Sequence, residues 1–198
     1  MSETKNTDST QEKIIRAGEE LFAAHGFGRV TLRQIAREAG QRNVSAVQYH
    51  FKSKQGLLIA IAKGHRDGID ARRAELLDKA TTEGTDEDLS TLLSILVVPL
   101  AAKLDSASGR AYLQIQAQGL TNLEMRPATR DLVDRITRYS RTLTSASDAP
   151  YQSRFALLLL FHALADRANL ESNGKRHPGD RGEFVAALSH SLRGLLST

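Results

Sequence analysis

Between residues 29 and 54 the chain reads RVTLRQIAREAGQRNVSAVQYHFKSK and carries six basic side chains, Arg29, Arg33, Arg37, Arg42, Lys52 and Lys54, against a single acid, Glu38. That local balance of +5 exceeds the +4 of the whole 198-residue chain, so the positive charge is a footprint and the remainder is slightly acidic. Guanidinium and ammonium groups gathered on one surface neutralise phosphates, and the amide of a glutamine such as Gln48 can make two hydrogen bonds to an adenine edge. Val44 and Ser45 are small enough to let a backbone come close. The chemistry on offer is recognition of a polyanion, with no nucleophile or acid–base pair beside it.

Two short helices are needed to present these groups. Thr31 followed three residues later by Gln34 is a capping box, and Leu32, Ile35, Ala36 and Ala39 supply one apolar face. Gly40 stops that helix because glycine takes the left-handed conformation without a Cβ clash. Gly40, Gln41 and Arg42 then form the turn, Asn43 caps a second helix from Val44 to Phe51, and Val47 with Phe51 is its buried side. Ser53 caps a further helix with Lys54 in its first turn. Helix, glycine turn and helix, with the charge collected on them, form a helix-turn-helix that enters a major groove through the N-terminal part of its second helix.

The segments GFGRVTLRQIAREAG and SAVQYHFKSKQGLL resemble the N-terminal DNA-binding domain of the TetR family of transcriptional regulators. The likeness rests on the Gly-Phe before the first motif helix, its Thr-x-x-x-Ile-Ala, the aromatic cluster closing the second helix and the Ser-Lys-x-x-Leu-Leu of the next one. Two departures stand out: the turn is one residue longer than the family's Gly-Val-Ser, and Gln48 occupies the place of its first tyrosine. The resemblance implies Arg33 and Gln48 against base edges, with Thr31, Tyr49, His50 and Lys54 against phosphates. Arg42, Val44 and Ser45 complete the expected contact surface on double-stranded DNA. It also implies a fold: all-α, with an N-terminal three-helix bundle containing the helix-turn-helix over 1–52 and a larger helical domain for effector binding and dimerisation over 53–198.

Helical periodicity continues through the chain. Ser9-Thr10-Gln11-Glu12 reads as a capping box for a first helix ending at Gly26, preceded by a short polar arm. The helix from Ser53 runs to about Ala80 and holds Gly64 and Gly68, each costing about 1 kcal/mol relative to alanine, a cost that either permits close packing or marks a flexible point. Further helices are expected over 89–104, 109–123, from Pro127 onward, 151–170 and 182–196, with Pro99 kinking the first of these. The run Phe155 to Phe161 is apolar on every side of a helix and so needs cover on more than one face. Either the core of a single chain supplies all of it or a second copy supplies part, Leu158 with Phe184, Leu188, Leu192 and Leu195 then forming a four-helix contact, as the resemblance implies.

Composition narrows the function further. Cysteine is absent, which removes disulfides and thiolate metal sites and fits a cytoplasmic location; no targeting segment or stretch long enough to span a membrane appears. Catalytic fingerprints are lacking, the six histidines are scattered without metal-ligand spacing, and neither cofactor nor metal is expected. For a small-molecule effector, Tyr112, Tyr139 and Phe155 offer contact surfaces, while His65, Gln116 and His162 offer polar groups. With no tight basic cluster on a predicted apolar face, the expected effector is mainly apolar rather than multiply charged. The reading is a homodimeric, ligand-responsive DNA-binding repressor, against two rivals: an all-helical enzyme with an unrecognised active site, and a constitutive regulator without an effector.

Overall fold

Apolar residues spaced three and four apart build nine α-helices among the described residues, which in this computed structural model are 3–119, 125–143, 148–175 and 178–197, with side chains from residue 10 onward except at 149 and 150. They are α1 (Glu3–His25), α2 (Leu32–Glu38), α3 (Ser45–Phe51), α4 (Lys54–Glu83), α5 (Leu89–Ala101), α6 (Ala107–Ala117), α7 (Pro127–Leu143), α8 (Ala149–Ser172) and α9 (Arg181–Leu196). The first helix begins at Glu3, well before the expected cap at Ser9, because neither proline nor glycine interrupts residues 3–17. The expected end of α6 at Leu123 lies outside the described residues.

Two cores organise these helices. The smaller one joins Ile14 and Phe22 of α1, Ile35 of α2, Val47 and Phe51 of α3, and Leu57, Leu58 and Ile61 from the first turns of α4. Each such side chain, fully buried, contributes about 1.5–3 kcal/mol relative to exposure. The larger core is built from α4 through α9, with Leu92, Leu93, Leu104, Leu113, Leu132 and Leu164 fully buried in it. Helix α4, 30 residues long, serves both, and Ile115 of α6 reaches back into the smaller core. None of the helices is long and apolar enough to cross a membrane among the described residues.

Two expectations for the larger unit are corrected by packing. Leu188 and Leu192 are buried within the chain's own core, on a stripe of α9 that continues to Leu196 and packs on α5 and α8, so they are not available to a second copy. Phe184 and Leu195 are half-buried, whereas Leu158 of α8 is exposed together with Tyr151 and Phe155 at helical spacing. Secondly, a Cβ on Gly64 or Gly68 would meet nothing within 4 Å, so close packing does not account for either glycine. Pro99 does sit inside α5, which passes into a 3-10 turn at Ala102.

Candidate nucleic-acid interface and internal cavity

The motif's turn is built as its sequence implies. Thr31 Oγ1 accepts from the Gln34 backbone N–H while Gln34 Oε1 accepts from the Thr31 N–H, closing the capping box. At the other end of α2, Gly40 takes φ +69° and two reversed bonds, Gln41 N–H to Ala36 O at 2.8 Å and Gly40 N–H to Arg37 O at 3.0 Å, satisfy the last carbonyls. Helix α3 then starts at Ser45, one residue later than expected. Asn43 caps it from two residues away, its Oδ1 accepting from the Ser45 N–H at 2.9 Å, so the extra turn residue is absorbed as a local side-chain bond.

Val47 and Phe51 face the core, and the opposite side of α3 presents Ser45, Gln48, Tyr49 and, just beyond the helix, Lys52. Tyr49 is 78% exposed, an unusual position for a large aromatic ring, and stands edge-on to His50 with centroids 5.2 Å apart. Beside this ridge lies a surface concavity of about 610 Å³ lined by Thr31, Arg33, Arg37, Arg42, Asn43 and Val44 among others. Arg33, Arg37 and Arg42 are all exposed. Of the residues expected to meet DNA, Thr31, Arg33, Arg42 and Val44 line this concavity and Ser45, Gln48 and Tyr49 stand exposed on α3, with Val44 and His50 half-buried.

Lys54 is used differently. Its Nζ donates to the carbonyls of Phe27 and Val30 at 2.7 and 2.8 Å and lies 4.4 Å over the Phe27 ring, which clamps the loop before α2 to the start of α4. Gln118 holds the same loop from the other unit, accepting from the Phe27 N–H and donating to Phe22 O. Nothing in the sequence around Gln118 announces that role. The corner between α3 and α4 is equally tight: Lys52 has φ +65°, the Ser53 N–H returns to Phe51 O, and a Cβ on Gly56 would fall on that carbonyl.

The family model for bacterial regulatory proteins of the tetR family matches residues 14–61, from the middle of α1 to the buried start of α4. Residues 14–61 therefore carry the regulatory segment of the tetR family of DNA-binding transcriptional regulators. The Probable HTH-type transcriptional regulator YttP of Bacillus subtilis (strain 168) is 32% identical over 85 residues, an alignment that spans 43% of this chain and only 41% of the relative. Solved structures extend the likeness to nearly the full length. An alanine-substituted mutant of HlyIIR superposes with a TM-score of 0.60 at 13% identity, covering 94% of this chain and 97% of its own. NalD of Pseudomonas aeruginosa, the secondary repressor of the MexAB-OprM multidrug efflux pump, does so with 0.54 at 18% identity, covering 96% of each. At such identities these two show a shared fold.

Within the larger unit, a cavity of about 270 Å³ opens between α4, α5, α6, α7 and α8. Its apolar wall includes Ile69, Leu96, Leu100, Val133, Leu160 and Phe161. Of the residues expected to hold an effector, Tyr112 and Gln116 lie in this wall. The other four do not: His65 stacks on the far face of the lining, Tyr139 packs on the core elsewhere, Phe155 is exposed, and His162 belongs to a separate surface cleft. Gln114 and Gln116 of α6 and Gln118 at its C-terminal cap diverge as a helix requires, Gln114 to that cleft, Gln116 to the cavity and Gln118 to the loop.

The expected absence of basic residues is overturned. Arg66 and Arg73, seven residues apart and so on one face of α4, line the cavity together with Arg126, which pairs with Asp67. Arg73 is only 5% exposed; it donates to Leu96 O at 2.8 Å and to Thr129 Oγ1 at 2.9 Å, and its Nε has no partner. Burial pushes its pKa down to about 10, which leaves it protonated at neutral pH. The nearby Asp70 carboxylate is occupied by the Thr129 N–H and hydroxyl at the start of α7. Burial also raises the Tyr112 phenol to about 12, so it stays neutral. These arginines were hidden in the sequence because α4 shows no clear apolar stripe against which a charged intruder would stand out.

Between cavity and reader runs one polar contact. His65 stacks on Tyr112 with ring centroids 4.4 Å apart, and its Nε2 lies 3.0 Å from Oε1 of the buried Glu19 on α1. A carboxylate in that position requires a partner, and α4 supplies it.

Proposed function

We propose that the protein is a homodimeric, ligand-responsive repressor that reads a palindromic operator through α3 and releases it when a small molecule fills the cavity. The observation that carries the DNA-binding part is the exposed ridge Ser45, Gln48 and Tyr49 beside Arg33, Arg37 and Arg42, with the apolar side of the same helices fully committed to the core. Thr31, Arg42, Tyr49 and His50 are assigned to phosphates, Arg33 and Gln48 to base edges. Lys54 is assigned to positioning. Repression follows the example of NalD, and the contact from Tyr112 through His65 to Glu19 offers a physical link between the two sites. A ligand acts through that link only if it binds the two arrangements with different affinity.

The dimer is assigned to the exposed stripe Tyr151, Phe155 and Leu158 of α8, with the half-buried Phe184 and Leu195 at its edge. Such an isologous contact would set two α3 helices one helical turn apart on DNA. We read the molecule as a regulator and not an enzyme, working in the cytoplasm. The test is selection of bound fragments from random duplex DNA by the full chain, followed by titration in salt. A palindromic consensus lost on Arg33→Ala together with Gln48→Ala is expected; selection of no consensus, or an unchanged one in a folded double variant, refutes the assignment.

A further inference from the structure

We propose that the cavity of the larger unit takes a monoanionic amphiphile, a carboxylate on an apolar body, with the anion held at Arg73. The proposal rests on the reading of that cavity as the effector site and names the chemical class it selects. Arg73 is a full positive charge buried in the cavity wall, and none of the ion pairs among the described residues involves it. Leu96 O and Thr129 Oγ1 engage two of its nitrogens, but the buried Nε has no acceptor. Asp70 acts on the guanidinium across the shared Thr129 hydroxyl without reaching that edge, and a ligand anion in the cavity supplies the missing acceptor.

The surroundings define the rest of the molecule. Tyr112 presents a neutral phenol on the same wall, so the head group at Arg73 is an anion that also accepts hydrogen bonds. On the other side the wall is Leu96, Val133, Leu157 and Leu160, and these four residues are shared with a narrow, almost wholly apolar niche running beneath Ile136 and Leu192. An apolar body of a handful of carbons continues into that niche. At about 270 Å³ the cavity is too small for a nucleotide-sized ligand, and a single buried edge does not match the several oxygens of a phosphate ester.

A head-group series with one body tests this on the unaltered protein: octanoate, octan-1-ol and octylamine, titrated by calorimetry at neutral pH. Octanoate is expected to bind at least tenfold more tightly than the other two. Arg73→Met should bring octanoate to the level of the alcohol, and Tyr112→Phe, which keeps the ring stacked on His65, should weaken it several-fold while leaving octan-1-ol unchanged. Equal binding of the three, preference for the amine, or no saturable binding of octanoate at millimolar concentration overturns the proposal, and these outcomes do not depend on whether Arg73→Met folds. DNA release is measured in parallel. Octanoate bound through Arg73 with no change in DNA affinity upholds the ligand class and refutes the effector reading.

Discussion

The two halves of the molecule handle positive charge in opposite ways. Around α3, Arg33, Arg37 and Arg42 stand exposed to water with one acid nearby, each cheap to maintain and free to move. In the larger unit Arg73 is buried, fixed by a carbonyl and a hydroxyl, and expensive to keep charged. The first arrangement produces a long-range field that salt screens and that suits a polyanion of any sequence until base edges are read. The second acts only on what enters the cavity, at low dielectric, and there one anion of the right shape is worth far more than several in solvent. Charge spread over a surface attracts, whereas charge confined in a core selects.

Both halves nevertheless turn one corner in the same manner. Ser53 caps α4 by accepting from the Gly56 N–H, and Ser106 caps α6 by accepting from the Gly109 N–H, each at 3.0 Å. In both, the space of the missing Cβ is filled by a preceding carbonyl, that of Phe51 or of Lys103. The largest expected effects therefore come from Gly56→Ala and Gly109→Ala, each destabilising by about 3 kcal/mol or more because backbone has to move. Gly56→Ala should also lose DNA affinity, since it displaces the end of α3. Thermal melts indistinguishable from the parent would show that the corners are not as tight as this.

A second pair of variants separates attraction from positioning within the reader. Arg42→Ala should leave the melting temperature unchanged and lower the slope of log affinity against log salt by about one unit. Lys54→Met should lower stability by about 2 kcal/mol, as loss of two hydrogen bonds from a charged donor implies, with a smaller change in salt slope. A Lys54 variant as stable as the parent, but with the slope reduced by one, would return that residue to the phosphate contacts.

How much of this was readable from the residues depends on whether the information was local. Capping box, glycine turn and the alternation of Val47 and Phe51 with exposed neighbours are decided within a few positions, and α2 and α3 form as their sequence implies, one residue aside. The direction in which α9 turns its leucines is decided by α5 and α8, and so Leu188 and Leu192 were assigned to the wrong partner. Arg73 and Gln118 acquire their roles from residues 23 to 96 positions away. No window along the chain contains both ends of such a contact.

The connecting helix gives the next effect in size. Gly64 and Gly68 lie at exposed, open positions where alanine meets nothing, so each substitution to alanine should stabilise α4 by about 1 kcal/mol. If the two halves communicate through bending of α4, the double variant should bind DNA normally and respond less to ligand. Melting temperatures and ligand-induced DNA release, measured on the same preparation, check both points, and an unchanged or lower melting temperature would contradict the open packing.

The smallest effect concerns acid, and it belongs to the larger half alone. Glu171 near the end of α8 accepts from Arg181 Nη2 at 2.7 Å and from Arg167 Nε at 2.6 Å, joining α8 to α9. The hydrogen bond from Arg181 is the main cause that holds its carboxyl below the usual range, with Arg167 adding to it. A carboxylate whose pKa is lowered on folding stabilises the native state fully above its ordinary pKa of about 4.3, and loses that contribution as pH falls through the lower native value. With the site partly open to solvent, the contribution is on the order of 1 kcal/mol or less. Glu171→Gln should therefore melt slightly below the parent at pH 7, and the gap should close as the pH is taken from about 4.5 downward. A gap that stays constant across that range would mean that the glutamate joins the helices by its shape and hydrogen bonding, not by its charge.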